Sequence, residues 1–103
     1  MSEFIVVDLG SQARAVGQHV EGWPRSRVLA WLRQFGEVCY EPYFSRSDVD
    51  HYSFVSPCGR SSGFWFQADT LVLQERDRAG PAVRDDERQR IFMFRTNVNE
   101  MNV

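Results

Sequence analysis

The chain has 103 residues, of which 43% are hydrophobic and 25% charged, and its formal charge is −2. That length supports a single domain, residues 1–103, rather than two. That composition excludes a disordered, a collagen-like and a coiled-coil chain, and no apolar run approaches the roughly 20 residues that cross a bilayer.

The opening Met1-Ser2-Glu3 lacks the basic start and long apolar stretch of a secretory signal, so an intracellular, cytoplasmic chain is expected. Phe4 to Leu9 is apolar at nearly every position and reads as a strand buried on both faces. Residues 12–22 fit either a short helix capped by Ser11, with Ala13, Val16 and Val20 on one face, or an alternating strand; helix is the preferred reading, although Gly17 and Gly22 weaken both. Residues 24–35 are the clearest helix. Pro24 suits its first turn, Val28, Trp31, Leu32 and Phe35 form one apolar stripe, and Gly36 is placed to end it.

Beyond Gly36 the apolar period changes to two. Glu37 to Phe44 reads as a strand in which Pro42 marks an edge or bulge. Ser45 to Asp50 is turn-like, and His51 to Ser56 alternates again. A turn-rich stretch from Pro57 to Gly63 leads into Phe64-Trp65-Phe66-Gln67, which completes a hairpin. Thr70 to Glu75 is the next strand. Residues 76–88 are charge-rich and read as a flexible loop, Arg90 to Arg95 as a last strand, and residues 97–103 as a frayed tail. The sum is an α+β domain: an antiparallel sheet of five or six strands with one main helix, residues 24–35, packed on one face.

Charge and cysteine usage narrow the chemistry. All twelve basic residues are arginine, so there is no lysine for a Schiff base or a phosphate loop, and the acidic balance gives no global pull toward nucleic acid. Cys39 and Cys58 belong to no Cys-x-x-Cys pair and are expected to be buried free thiols. Asp48, Asp50 and His51 form the one acid–imidazole cluster. A solvated turn is the expected role, with general acid–base work or metal binding as the functional alternative. No metal or cofactor is expected. The loop Cys58 to Gly63, with Arg60 and two hydroxyls, is a candidate anion cradle, although a plain hairpin loop explains it on turn chemistry alone.

Three stretches resemble parts of the RNA-recognition-motif family. Phe4 to Gly10 is similar to its first strand, Leu32 to Val38 to the end of its first helix, and Arg60-Ser61-Ser62-Gly63-Phe64-Trp65-Phe66 to its third-strand aromatic motif. The resemblance implies that Phe64 and Phe66 stack on single-stranded bases and that Arg60 contacts phosphate. The segments Leu9 to Phe35 and Phe35 to Gly63 are longer than in that family, and no second helix precedes the last strand. Val7-Asp8-Leu9-Gly10-Ser11-Gln12 also resembles the opening of class I glutamine amidotransferases, yet the chain has no Gly-x-Cys-x-Gly elbow and no histidine after His51. A tyrosine-phosphatase cradle needs arginine where Phe64 stands.

The aromatic content, 8 Phe, 3 Tyr and 3 Trp, is high for so short a chain. One helix is too small a lid for it. Tyr52, Arg60, Phe64, Trp65, Phe66, Phe92 and Phe94 are therefore the expected ligand- or partner-binding residues. The expected function is a non-catalytic interaction protein that self-associates, as a homodimer, through an aromatic-rich sheet surface and binds a protein partner or small apolar ligand. A single-stranded RNA- or DNA-binding domain and a small enzyme using the Asp/His cluster are the alternatives.

Overall fold

The computed structural model describes residues 4–76 and 89–97. Most of the expected flexible loop (76–88), the expected frayed tail after residue 97 and Met1–Glu3 lie outside the described residues. The chain is α+β. Helices α1 (Ala13–Val20) and α2 (Arg25–Arg33) precede five strands: β1 (Glu37–Tyr40), β2 (Val49–Val55), β3 (Ser61–Gln67), β4 (Thr70–Arg76) and β5 (Gln89–Arg95). The strands form an open antiparallel sheet in sequence order, each paired with the next. This meander is not the βαββαβ order that the third-strand resemblance implies.

The first expected strand is absent. Residues 4–9 are irregular, with Val6 and Leu9 at 1% exposure but Ile5 and Val7 at 59% and 57%. The cause is Gln12. Its side-chain carbonyl accepts the Val7 and Asp8 backbone N–H groups at 2.7 and 2.8 Å, and its amide donates to Ile5 O at 3.0 Å. Backbone groups that a strand would offer to a neighbour are thus satisfied locally. Asp8 then turns the chain by accepting the Gly10 N–H on Oδ1 at 3.0 Å.

Residues 13–20 are helical, with Ala13, Val16, Gly17 and Val20 buried on one face. Gln12, not Ser11, is the N-cap residue, and its side chain makes no cap bond because it is committed to the segment before it. Gly17, which argues against a helix by propensity, is required by packing: an added methyl would sit 1.9 Å from the Phe94 ring. Helix α2 starts one residue after Pro24 and buries Val28, Leu29 and Leu32. Each such side chain stabilises the fold by about 1.5–3 kcal/mol. Trp31 and Phe35, the other members of the expected stripe, are half-buried at its margin. Gly36 follows the helix because space demands it; a methyl there would meet Val55 O at 2.5 Å and the Phe54 ring at 2.7 Å.

The two helices are nearly equal, of 8 and 9 residues, so the expectation of one main helix is replaced by a divided lid. Helix α1 packs on β4 and β5, and α2 on β1. The linker between them is pinned to the β5 edge by the Gly22 N–H donating to Arg95 O at 2.7 Å and the Asn97 N–H donating to Trp23 O at 3.1 Å. Beside the lid, the exposed His19 ring stacks between Phe4 (5.2 Å) and Trp31 (4.7 Å). The expected strand Glu37 to Phe44 stops at Tyr40, because Pro42 opens a 3-10 turn, Pro42–Phe44.

Candidate functional site

Register assigns every strand residue to one of two faces, since cross-strand partners point the same way. Phe64 pairs with Tyr52 and Leu73, and Phe66 with Asp50 and Leu71. Phe92 and Phe94 pair in turn with Leu73 and Leu71. All lie on the side of the helices. There Phe54, Phe64, Phe66 and Leu73 are fully buried in a core shared with Val16, Val20, Val28 and Leu32. Of the rings expected to need outside cover, Phe64 and Phe66 are fully buried by the chain itself, under two helices and the segment Phe4–Leu9, and Tyr52, Phe92 and Phe94 are half-buried on the same side. Phe64 and Phe66, the stacking pair that the RNA-recognition-motif resemblance implies, present no ring to solvent.

Neither α1 nor α2 packs on the opposite face, and no other helix of the described residues beyond the 3-10 turn Pro42–Phe44 lies there. One row of it runs His51, Trp65, Val72, Met93 across four consecutive strands. The His51 and Trp65 rings stack at 4.9 Å and 24°. Phe44, delivered by the 3-10 turn, approaches His51 at 6.0 Å and extends the row past the end of β1. Ile91 lies on the same face two residues from Met93; the two are 54% and 70% exposed. At the Phe44 end the turn and the strands enclose a shallow groove of about 370 Å3, lined by Tyr43, Phe44, Arg46, Val49, His51 and Trp65.

Of the residues expected to bind, only Trp65 lies on this face. Tyr52 stacks on Phe64 at 5.6 Å on the helix side, and burial followed by the nearby Asp50 carboxylate raises its phenol above the ordinary value. Phe92 carries the Arg14 guanidinium over its ring at 5.1 Å, and Phe94 fills the notch at Gly17. Arg60 closes an ion pair with Asp8 at 3.2 Å, so its charge ties the β2–β3 loop to the N-terminal segment.

Asp48, Asp50 and His51 are not brought together. Asp48 is exposed in the turn before β2. Asp50 faces the helices and pairs with Arg25 at 3.0 Å, while that guanidinium also donates to Ala68 O at 2.7 Å and lies 5.0 Å over Phe66. His51, the next residue, projects from the other side. Among the described residues, no group of three or more His, Cys, Asp or Glu could hold a metal ion.

Both cysteines are exposed, against expectation. Cys39 stands opposite Ser53 on the helix-free face. Cys58 sits in the tight β2–β3 loop, where Gly59 has φ +88°. Its thiol lies 3.0 Å from Ser56 Oγ, and that hydroxyl accepts the Arg60 N–H at 3.1 Å. The Ser56 hydrogen bond, with the Arg60 backbone and guanidinium, brings the Cys58 thiol below its ordinary value.

Sequence reasoning missed Tyr43, Phe44 and Arg46, which reach the face through a turn, and Val72, Ile91 and Met93. The alternation of Ile91 and Met93 with Phe92 and Phe94 was the available signal for the last two. No helix among the described residues is long and apolar enough to cross a membrane. Searches of protein-family profiles, of curated proteins and of solved structures each return no match.

Proposed function

We propose that this chain is a non-catalytic interaction module that self-associates through the helix-free face of its sheet. The observation that carries the reading is the row Phe44, His51, Trp65, Val72, Met93: Phe44 and Met93 are 65% and 70% exposed, His51 and Trp65 are half-buried beside the buried Val72, and neither α1 nor α2 packs over them. Exposed sheet faces of this kind gain free energy by docking on another apolar surface, and a second copy is the partner always present at matching concentration. In the same reading, the grooved end of the belt takes a protein side chain or a small ligand.

The size of the face sets the strength of the contact. Strands of seven residues, at about 3.4 Å per residue and about 4.8 Å between strands, give roughly 450 Å2 in projection. That falls below the approximately 800 Å2 per partner of a standard stable interface. A contact of that size suits a transient dimer rather than an obligate one. Exposed Cys39 and Cys58 suit a reducing, intracellular compartment.

Sedimentation velocity over a concentration series tests the reading. The chain should shift from monomer toward dimer as concentration rises, and Met93→Glu should hold it monomeric with its unfolding midpoint unchanged. Monomer at every concentration in the unaltered chain removes self-association.

A further inference from the structure

We infer that the groove beside the 3-10 turn is a binding site for one small planar aromatic ligand bearing a single anionic group. The inference sharpens the ligand-binding part of the function proposed above. Its walls are rings: Phe44, His51 and Trp65 follow one another at 6.0 and 4.9 Å, and Tyr43 stands at the rim with 93% of its surface exposed. The exposed Tyr43 and Phe44 rings are free to meet a flat ligand, whereas the His51 and Trp65 faces are partly used by their own stack; such contacts do not discriminate among heterocycles. The volume, about 370 Å3, lies at the lower end of the approximately 300–1,000 Å3 of small-molecule clefts.

The charge of the ligand follows from Arg46. It lines the groove; among the described residues no carboxylate does, and Arg46 makes no ion pair. An exposed arginine lining a groove beside aromatic residues supplies a fork for carboxylate or phosphate. It is also the single cation among the described lining residues. A nucleic-acid strand needs a track of cations, one for each phosphate held. The site therefore fits a mononucleotide or an aromatic carboxylate in preference to a strand.

The groove is held ready by its own backbone. Arg46 and Val49 exchange hydrogen bonds at 2.8 and 3.2 Å across the turn. Ser45 Oγ donates to Glu41 O at 2.8 Å and accepts the His51 N–H at 3.0 Å, fastening the turn to β2. The backbone of the turn therefore needs no closing step, and the ordering left to the ligand is that of the exposed Tyr43, Phe44 and Arg46 side chains.

The experiment is a titration of the full chain with adenosine monophosphate, read by tryptophan fluorescence and by ring and backbone NMR shifts. Adenosine, inorganic phosphate, indole-3-acetate and an eight-nucleotide oligo-dA serve as comparison ligands. Saturable shifts confined to Tyr43, Phe44, Arg46, Val49, His51 and Trp65 are expected with the mononucleotide, indole-3-acetate or both, and which of them binds tells phosphate from carboxylate. Adenosine should bind at least fivefold more weakly than its monophosphate, and phosphate alone should leave the rings unmoved. Arg46→Gln should bring the anionic ligand down to the adenosine level, and Phe44→Ala should weaken every ligand about tenfold. Both side chains are exposed, and an unchanged near-ultraviolet spectrum verifies that the fold is kept.

Absence of groove shifts with every ligand at millimolar concentration overturns the inference, as does equal anion binding by Arg46→Gln. Oligo-dA binding a hundredfold more tightly than the mononucleotide overturns it in favour of a strand. Met93→Glu, outside the groove, separates the two proposals. Ligand binding kept in that monomeric variant upholds the groove independently of self-association, and its loss shows that a single chain does not make the site.

Discussion

The two faces of the sheet differ in make-up and in cover: the helix side gathers Phe54, Phe64, Phe66, Leu71 and Leu73, and the other sets Trp65, Val72, Ile91 and Met93 among Ser53, Gln67, Gln74 and Arg95. On the helix side Phe54, Phe64, Phe66 and Leu73 reach zero exposure, whereas Ile91 and Met93 on the other side stay more than half exposed. Phe64 and Trp65 are adjacent in sequence, yet the first is locked in the core and the second stacks on His51, half-buried on the other face. Aromatic content therefore says little about where a surface lies. Parity along the strand decides it, and parity is fixed by which residues the helices can reach.

The largest expected effect exploits that adjacency. Phe64→Ala should lower unfolding free energy by about 3–5 kcal/mol, the cost of deleting a fully buried ring. Trp65→Ala should cost less than about 1.5 kcal/mol and act mainly on self-association. Chemical denaturation of both variants measures the contrast, and equal costs would erase the distinction between the faces.

Glycines draw the same line with one methyl group. Gly36→Ala and Gly17→Ala press on Val55 O and the Phe94 ring, and each should destabilise by about 1–3 kcal/mol. Gly63 shares the open face with Ser53, and a methyl there meets nothing within 4 Å. Gly63→Ala should be neutral within about 0.5 kcal/mol or slightly stabilising. Thermal unfolding of the three variants reads the difference.

A smaller effect is expected from Tyr52, whose phenol is raised by burial and by Asp50. The unfolded chain then releases this proton at lower pH than the folded chain. Stability is thus complete below the ordinary tyrosine value of about 10 and falls as pH climbs through the raised one. In Tyr52→Phe, part of that alkaline slope should disappear from a pH series of denaturation midpoints. The mildest prediction concerns the exposed thiols. Cys58, held below its ordinary value by Ser56, should react faster with a neutral-pH thiol reagent than Cys39, and Ser56→Ala should remove most of the advantage. Mass-resolved labelling of the two cysteines follows this directly.

Much of the fold was readable where pattern had contrast. Helix α2, the hairpins through β2, β3 and β4, and the last strand follow from period and turn residues. The segment Phe4–Leu9 was not readable, because its strand-like composition is overruled by the Gln12 side chain capturing its backbone. The role of Gly17 was hidden as well, since its reason is a ring more than seventy positions along the chain. The site was less legible than the fold. Phe64-Trp65-Phe66, Leu71-Val72-Leu73 and Ile91-Phe92-Met93-Phe94 are apolar on both parities, so alternation gives no way to choose the buried face. Nor could the sequence show that Pro42 would turn the chain so that Phe44 approaches His51 of β2, because that depends on where β1 ends.

The most direct test of the central claim is an isotope-filtered NMR experiment on an equal mixture of labelled and unlabelled chains at high concentration. Cross-peaks between chains should involve Trp65, Ile91 and Met93 and be absent from α1 and α2. Intermolecular contacts from the helices, or none at all, would contradict the assignment of the helix-free face as the interaction surface.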